Sequence, residues 1–255
     1  MIKELGMVTK NERVAKDTFL MTVELPLIAK SARTGQFINV KTSCTHYPFL
    51  RRPFSISDVV KNSCEILYHV VGGGTRQMSM MREGDTLDCI GPLGNSFTID
   101  GSFTTAAIIA GGVGVAPFPF LTKELIRQKK QVITFLGART KELVFDRKLE
   151  NVKIATDDGT QGFFGNAVDA FLAGFNNRSF DKVKVFACGP TPMLKRVISE
   201  TTCRKIACDV SLESEMACGI GLCQGCPVES IGSEKKYLLA CTDGPNFSGN
   251  SIVLP

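Results

Sequence analysis

Four cysteines near the C-terminus constrain this chain more than any other feature. They follow the spacing C-x4-C-x2-C-x14-C and are Cys218, Cys223, Cys226 and Cys241. Glycines interrupt the segment 218–226, which we call the cysteine loop, at Gly219, Gly221 and Gly225. Because glycine lacks a side chain, this loop can wrap closely around a ligand and turn its backbone N–H groups towards sulfur. The segment therefore predicts a small C-terminal domain that holds four sulfur atoms together.

Three chemistries use four clustered cysteines. Structural zinc sites more often combine two C-x2-C pairs separated by a longer spacer, whereas this segment has one such pair. Disulfides are rare in the reducing cytosol. The order C-x4-C-x2-C followed by a distant cysteine is that of plant-type [2Fe–2S] proteins. The spacing favours a [2Fe–2S] cluster, with zinc and disulfides as the alternatives.

Composition limits where the protein works and what it meets. The 255 residues include 30 basic and 25 acidic side chains, a net charge of +5 without an arginine-rich arm, which argues against nucleic acid as a partner. The polar N-terminus has no apolar signal segment, and the most apolar stretch, AAIIAGGVGVAPFPFL, is too short and too rich in Gly and Pro to span a bilayer. We expect a cytoplasmic protein without a membrane partner.

The chain divides into three segments of different character. Residues 1–100 contain short alternating runs such as FLMTVELP and CEILYHVV between turns, which predict an antiparallel β-barrel. Residues 101–204 contain continuous apolar strands such as TAAIIA and KVKVFAC, alternating with helical segments, which predict an α/β domain with a parallel sheet. Residues 205–255 carry the four clustered cysteines and form the third domain.

Two turns in the second segment follow buried strands. The turn GGVGVAP contains Gly111, Gly112 and Gly114, and the turn CGP contains Cys188, Gly189 and Pro190. In open α/β sheets, ligands gather at the carboxyl ends of the strands, and a helix N-terminus there attracts phosphate. The turns predict a nucleotide site, although the glycine pattern departs from the dinucleotide fingerprint and also suits a tight structural turn.

Two stretches of the predicted barrel offer similar chemistry. In RRPFSIS, Arg52 can grip a phosphate and Phe54 can pack on a flat ring. In LYHVVGGGT, Gly74 and Thr75 open a helix whose N-terminus suits another phosphate. An exposed charged strand and a flexible loop are the simpler interpretations of these two stretches.

Taken together, the segments resemble the ferredoxin reductase-like flavoproteins. RPFS is similar to their flavin motif Arg-x-Tyr-Ser/Thr, with Phe54 in the tyrosine position, and GGVGVAP and CGP resemble their nucleotide turns. RRPFSI, GGGT, AGGVGVAP, ACGPTPML, SLESEMACGIGLCQGCPV and ACTDGP also resemble, in the same order, the electron-transfer subunits of NAD-dependent dihydroorotate dehydrogenases.

The resemblance implies FAD, a [2Fe–2S] cluster and NAD as co-substrate. It also implies a catalytic dihydroorotate dehydrogenase subunit that carries FMN, in a heterotetramer of two plus two. Electrons from dihydroorotate would pass through the cluster and FAD to NAD+, in pyrimidine biosynthesis. The alternatives are a ferredoxin:NAD(P) or sulfide-linked reductase subunit with the same cofactors, and a zinc-stabilised binding module.

The same resemblance assigns binding residues. For FAD they are Arg52, Pro53, Phe54, Ser55, Leu67, Tyr68, His69, Gly74 and Thr75. For the nucleotide they are Gly111, Gly112, Gly114, Cys188, Gly189 and Pro190. We expect no catalytic acid or base from a chain with only two histidines, His46 and His69, since cofactors would carry the chemistry.

Overall fold

Alternating apolar residues build an antiparallel sheet from the first segment of the chain. The computed structural model describes residues 1–43, 47–175 and 182–254. Seven strands pair in the order β4-β3-β7-β1-β2-β6-β5 and curl into a half-barrel. Their bounds are β1 Ile2–Ala15, β2 Thr18–Glu24, β3 Phe37–Lys41, β4 Arg52–Ser55, β5 Asp58–Val60, β6 Ser63–His69 and β7 Thr86–Leu93. The predicted antiparallel barrel domain is confirmed.

Two helices belong to the same part of the chain, namely α1 Pro26–Ser31 and α2 Gly73–Met80. The first turn of α2 is fixed by Thr75, whose Oγ1 accepts hydrogen bonds from the backbone N–H groups of Val71 (3.0 Å) and Gly72 (3.2 Å). The GGGT stretch therefore begins a helix, as predicted. In the part of the chain that the structure describes, no helix is long and apolar enough to cross a membrane.

Continuous apolar strands build the second sheet, which is mainly parallel. Its strands are β8 Thr105–Gly111, β9 Gln131–Ala138, β10 Val152–Thr156, β11 Phe163–Phe164, β12 Val183–Cys188 and β13 Ala207–Ser211. Its helices are α3 Phe118–Arg127, α4 Ala167–Phe175 and α5 Thr191–Cys203. The strand order is β11-β10-β9-β8-β12-β13, so the winding reverses between β8 and β12. At such a reversal the carboxyl ends of the strands leave a crevice for a ligand.

The C-terminal segment contributes to two sheets. A small sheet has the order β15-β14-β17, with β14 Pro227–Ser230, β15 Tyr237–Leu239 and β17 Ile252–Val253. The strand β16, Asn246–Ser248, instead pairs antiparallel with β13 at the edge of the parallel sheet. Strands 207–211 and 246–248, both inside the predicted third domain, are thus hydrogen-bonded to the second one. The residues between these two strands, 212–245, contain the four cysteines and are therefore attached to the parallel sheet on both sides.

A buried carboxylate joins the first two domains. Asp58 in β5 forms ion pairs with Lys123 of α3 and with Lys148, whose Nζ lies 2.9 Å from Asp58 Oδ2. Lys148 also pairs with Glu65 at 2.8 Å. Burial lowers the pKa of Lys148, but its bonds with Glu65 and Asp58 outweigh that effect and raise it. The charges from both domains therefore neutralise each other at this junction.

We expect Asp58→Ala to lower the free energy of unfolding by about 1–2 kcal/mol, because Lys123 and Lys148 would both lose their ion pair with the buried carboxylate. Glu12→Ala is the matched control, since Glu12 pairs with Arg147 across the same domains in a more exposed position (2.8 Å). It should cost about 0.5 kcal/mol. Urea unfolding measures both. Equal losses in the two variants would contradict a special contribution from Asp58.

Candidate functional site

An open cleft lies between the half-barrel and the parallel sheet. Its volume is about 440 Å³. Ten of the residues assigned to ligand binding from the sequence line it: Arg52, Pro53, Phe54, Ser55, Leu67, Tyr68, His69, Gly74, Thr75 and Cys188. The first nine come from β4, β6 and α2 of the half-barrel, and Cys188 ends β12 of the parallel sheet. The fold therefore brings separate sequence stretches to one surface.

The two neighbouring arginines have different surroundings. Arg51 forms an ion pair with Asp88 at 2.8 Å, which fixes it to β7. Arg52 lines the cleft, and its Nη1 donates to the backbone oxygens of Leu50 (2.9 Å) and Arg51 (3.2 Å). Because only Nη1 is used in these bonds, the rest of the Arg52 guanidinium can meet an anion. The cleft thus presents a positioned cation.

Aromatic rings form another part of the cleft wall. Phe54 meets Tyr68 edge to face, with ring centroids 6.0 Å apart. The hydroxyl of Tyr68 donates to Asn11 Oδ1 at 3.0 Å, and burial raises the pKa of Tyr68 to about 12. The ring is therefore held in place and uncharged. Such a wall suits a flat apolar ring system.

The first turn of α2 offers backbone donors. Helix N-termini leave their first N–H groups without intrahelical partners, and the helix dipole favours negative charge there. A Cβ at Gly74 would lie 2.9 Å from Thr42 Oγ1, so the close packing of α2 requires glycine at that position. Together with Arg52, this helix end makes the half-barrel side of the cleft suitable for a diphosphate.

The two predicted nucleotide turns pack against each other at the reversal of the parallel sheet. A Cβ at Gly114 would lie 2.5 Å from the Cys188 backbone oxygen, and one at Gly189 would lie 3.1 Å from the Gly111 backbone. Gly112 has a φ of +56° and open space around it. The two turns therefore lie at the carboxyl edge of the sheet, beside the cleft. Their neighbours Val113, Ala116 and Cys188 line the cleft wall, whereas Gly111, Gly112, Gly114, Gly189 and Pro190 lie close to them in the chain.

The structure adds cleft residues that the motifs did not reveal. Among them are Phe37 from β3, Ser211 at the end of β13, and Glu213 just beyond it. The side chain of Glu213 is exposed at the cleft, and the desolvation it still undergoes there raises its pKa. Burial also raises the pKa of Cys188, with a further contribution from the charge of Glu213. The signal for Ser211 and Glu213 was their position after a parallel strand.

The cysteine loop turns backbone donors towards its sulfurs. Cys218 Sγ accepts hydrogen bonds from the N–H groups of Ile220 and Cys223, each at 3.4 Å, and Cys223 Sγ accepts from Gly225 at 3.4 Å. Desolvation raises the pKa of Cys218, but these backbone bonds outweigh it and lower the pKa to about 6. Such N–H···S bonds stabilise a thiolate, the form that binds metal.

The four thiols lie close enough to influence one another's pKa. The backbone and side chain of Cys223 help to lower the pKa of Cys218, whereas burial, the adjacent Cys226 and the charge of Cys218 raise the pKa of Cys241 to about 12. In residues 1–43, 47–175 and 182–254, no three His, Cys, Asp or Glu side chains converge as a single metal ion requires. A [2Fe–2S] cluster divides four thiolates between two irons. Four thiolates in this spacing are the donor set that such a cluster takes.

Comparisons with known proteins agree with this geometry. Residues 213–253 match the family model described as the iron–sulfur cluster binding domain of dihydroorotate dehydrogenase B. The chain is 34% identical over 260 residues, 99% of both chains, to the protein of Bacillus caldolyticus named dihydroorotate dehydrogenase B (NAD(+)), electron transfer subunit. It is 37% identical over 248 residues, 94% of both chains, to the protein of the same name from Desulforamulus reducens.

Two solved structures extend the comparison. One is a chain of the NADH-dependent reduced ferredoxin-NADP oxidoreductase, studied for flavin-based electron bifurcation. It has a TM-score of 0.88 and 31% identity over 98% of this chain and 90% of that one. Phthalate dioxygenase reductase has a TM-score of 0.67 and 17% identity, over 91% of this chain and 88% of that one, a likeness of fold. The predicted three-part architecture is thereby confirmed.

Proposed function

Because the chain belongs to the family of electron transfer subunits of dihydroorotate dehydrogenase B (NAD(+)), we propose that it carries electrons from a dihydroorotate-oxidising subunit to NAD+. It is an oxidoreductase subunit that uses FAD, a [2Fe–2S] cluster and NAD. The observation that carries the proposal is the four-thiol segment attached to a flavoprotein reductase fold, matched over the full chain to these relatives.

The cleft residues divide into two binding roles under this proposal. On the half-barrel side, Arg52 and the α2 N-terminus at Gly74 and Thr75 bind the FAD diphosphate, while Pro53, Phe54, Ser55, Leu67, Tyr68 and His69 surround the flavin. On the other side, Gly111, Gly112 and Gly114 accommodate the NAD diphosphate. Cys188, Gly189 and Pro190 lie against the nicotinamide. Support comes from the shared cleft and from the packing of the two glycine turns.

The bound cofactors supply the redox chemistry, in which a flavin and a one-electron cluster together link two-electron and one-electron transfer. The protein residues orient the groups. The edge-to-face pair of Phe54 and Tyr68 holds a flat ring on one side of the cleft, and the cysteine loop holds thiolates with its backbone donors. No proton transfer is assigned to His69, and His46 lies outside the described residues.

The partner in this proposal is a catalytic subunit that carries FMN, assembled as a heterotetramer of two plus two. The family name itself implies a second subunit. Leu222 of the cysteine loop is 79% exposed, which suits a contact that covers the cluster. Since the thiols of the cluster site need a reducing compartment, we propose a cytoplasmic location.

We expect Leu222→Glu to weaken association with the catalytic subunit at least about tenfold, because a charge would be buried at the contact. Leu27→Glu is the matched control: Leu27 is also exposed (56%) but lies on α1 of the half-barrel. Binding of each purified variant to the immobilised catalytic subunit measures the effect. Loss of binding only in Leu27→Glu would contradict this location of the contact.

The whole proposal is tested by anaerobic co-expression with a dihydroorotate-oxidising subunit, followed by pull-down, a visible spectrum and an NAD+ reduction assay with dihydroorotate. We expect co-purification, flavin and cluster absorbance, and NADH formation. A colourless protein with stoichiometric zinc would overturn the redox function. Flavin and cluster absorbance without dihydroorotate-dependent NADH formation would overturn the assignment of the electron donor.

One second candidate has direct support. The 31% identity and TM-score of 0.88 to a chain of the NADH-dependent reduced ferredoxin-NADP oxidoreductase favour a reductase subunit that exchanges electrons with ferredoxin. The two functions share the cofactors and differ in the partner. Reduction of NAD(P)+ by reduced ferredoxin, in the absence of activity with dihydroorotate, would favour this second function.

A further inference from the structure

Strand β3 contributes one residue to the cleft and one to the contact with the cysteine loop. Its residues Phe37 and Asn39 are two positions apart and therefore point to the same face of the sheet. Phe37 lines the cleft, whereas Asn39 donates from Nδ2 to the backbone oxygen of Cys218 at 3.0 Å. In the register of β3 with β4, Asn39 is opposite Pro53. One side chain thus connects the strand next to the flavin motif with the first cysteine of the loop.

Burial of the Asn39 side chain at this position is energetically unfavourable. Its relative exposure is 0%, and its Oδ1 has no hydrogen-bond partner among the described residues. A buried carbonyl oxygen without a donor is destabilising, and leucine would fill a similar volume without that penalty. What the amide contributes at this position is the hydrogen bond from its Nδ2 to the backbone oxygen of Cys218.

The local backbone shows what that bond can control. Gly219 follows Cys218 with a φ of +70°, and a Cβ there would lie 2.5 Å from Asn39 Nδ2. The glycine therefore lets the loop approach the amide closely. Immediately after this contact, the N–H groups of Ile220 and Cys223 turn back to Cys218 Sγ. The Cys218 carbonyl that Asn39 binds therefore lies next to the backbone that supplies these two donors.

We propose that Asn39 is a positioning residue for the iron–sulfur cluster. By fixing the Cys218 carbonyl, it orients the Cys218 thiolate and the N–H groups around it, at a set distance from the flavin side of the half-barrel. Partners of this kind tune both the affinity for the metal and the reduction potential. The inference rests on the proposal that Cys218, Cys223, Cys226 and Cys241 bind the cluster.

The test compares two buried asparagines. Asn39→Leu keeps the volume and removes the donor, and Asn39→Ser, which is too short to reach Cys218, serves where leucine does not fit. Asn246→Leu is the matched control, because Asn246 is also buried with an unpartnered Oδ1 and donates to Gly35 O (3.1 Å) and Asn95 O (3.0 Å), neither of which belongs to the cysteine loop.

Four measurements are made on the full chain: FAD and iron content, the rate of iron loss to a chelator, the EPR spectrum of the reduced protein, and amide exchange at Ile220 and Cys223. We expect both Asn39 variants to keep FAD and to lose iron about tenfold faster, because losing a partner of a metal ligand commonly lowers metal affinity about 10–100-fold. Their EPR signal should shift, and the two amides should exchange faster. Asn246→Leu should keep the cluster properties of the unaltered chain.

Some results would overturn the inference. Iron loss, EPR spectrum and amide exchange unchanged in Asn39→Leu would mean that Asn39 only fills space. Loss of FAD together with iron in both Asn39 variants would mean that it stabilises the half-barrel instead. Iron in the unaltered chain is measured in parallel, so its absence there identifies a failure of the cluster assignment itself.

Discussion

Cys223→Ser is expected to yield a protein that retains FAD and contains about a tenth or less of the iron of the unaltered chain. A serine hydroxyl is a poor substitute for a thiolate, and even the loss of a group supporting a metal ligand commonly costs 10–100-fold in affinity. FAD should remain, because its proposed site is built from β4, β6 and α2, outside the cysteine loop. Iron analysis, acid-labile sulfide and the visible spectrum measure the result.

Cys203→Ser controls for the loss of any accessible thiol. Cys203 is exposed, like Cys223, but it ends α5 and lies outside the cysteine loop. Its replacement should change neither iron nor FAD. Iron at the level of the unaltered chain in Cys223→Ser would show that the four cysteines have been assigned wrongly as ligands.

The features that could be predicted from the sequence were local ones. Three of the four cysteines fall within nine consecutive positions, 218–226, so their spacing favoured an iron–sulfur cluster over zinc and disulfides. Likewise, RPFS and GGGT are continuous stretches, and their residue types favoured a strand for the first and the start of a helix for the second. Period-two and continuous apolar runs distinguished the two large sheets for the same reason, because burial on one face or on both leaves a direct trace in the sequence.

The features that could not be predicted depend on residues that are distant in the chain. Asn39 and Cys218 are separated by 179 positions, and a lone asparagine in an apolar strand carries no signal of a partner. Phe37 in the same strand likewise belongs to no binding motif. The return of β16 to the edge of the parallel sheet was missed because three residues, Asn246–Ser248, are too short for a periodic pattern.

Arg52→Ala is expected to weaken the binding of FAD about 10–100-fold, equivalent to about 1.5–3 kcal/mol for a hydrogen bond to a charged group. Arg52 is the arginine that lines the cleft, and its Nη1 bonds to Leu50 and Arg51 hold the guanidinium in position. The α2 N-terminus would remain as the second contact for the diphosphate, so binding should be weakened rather than abolished. Titration of the FAD-depleted protein, followed by flavin fluorescence, measures the dissociation constant.

Arg82→Ala is the matched control for this variant, because Arg82 is an exposed arginine of the same domain that follows α2 and lies outside the cleft. It removes the same charge from the protein surface without touching the proposed site. If both variants weakened FAD binding equally, the effect would come from the overall field of the domain. A loss of affinity confined to Arg52→Ala would indicate a local contact of Arg52 with FAD. Partial recovery of the affinity in Arg52→Lys would then measure the contribution of the charge, since lysine keeps the charge but lacks the planar fork of arginine. Unchanged FAD affinity in Arg52→Ala would contradict the assigned phosphate contact and leave the α2 N-terminus as the principal anion site of the cleft.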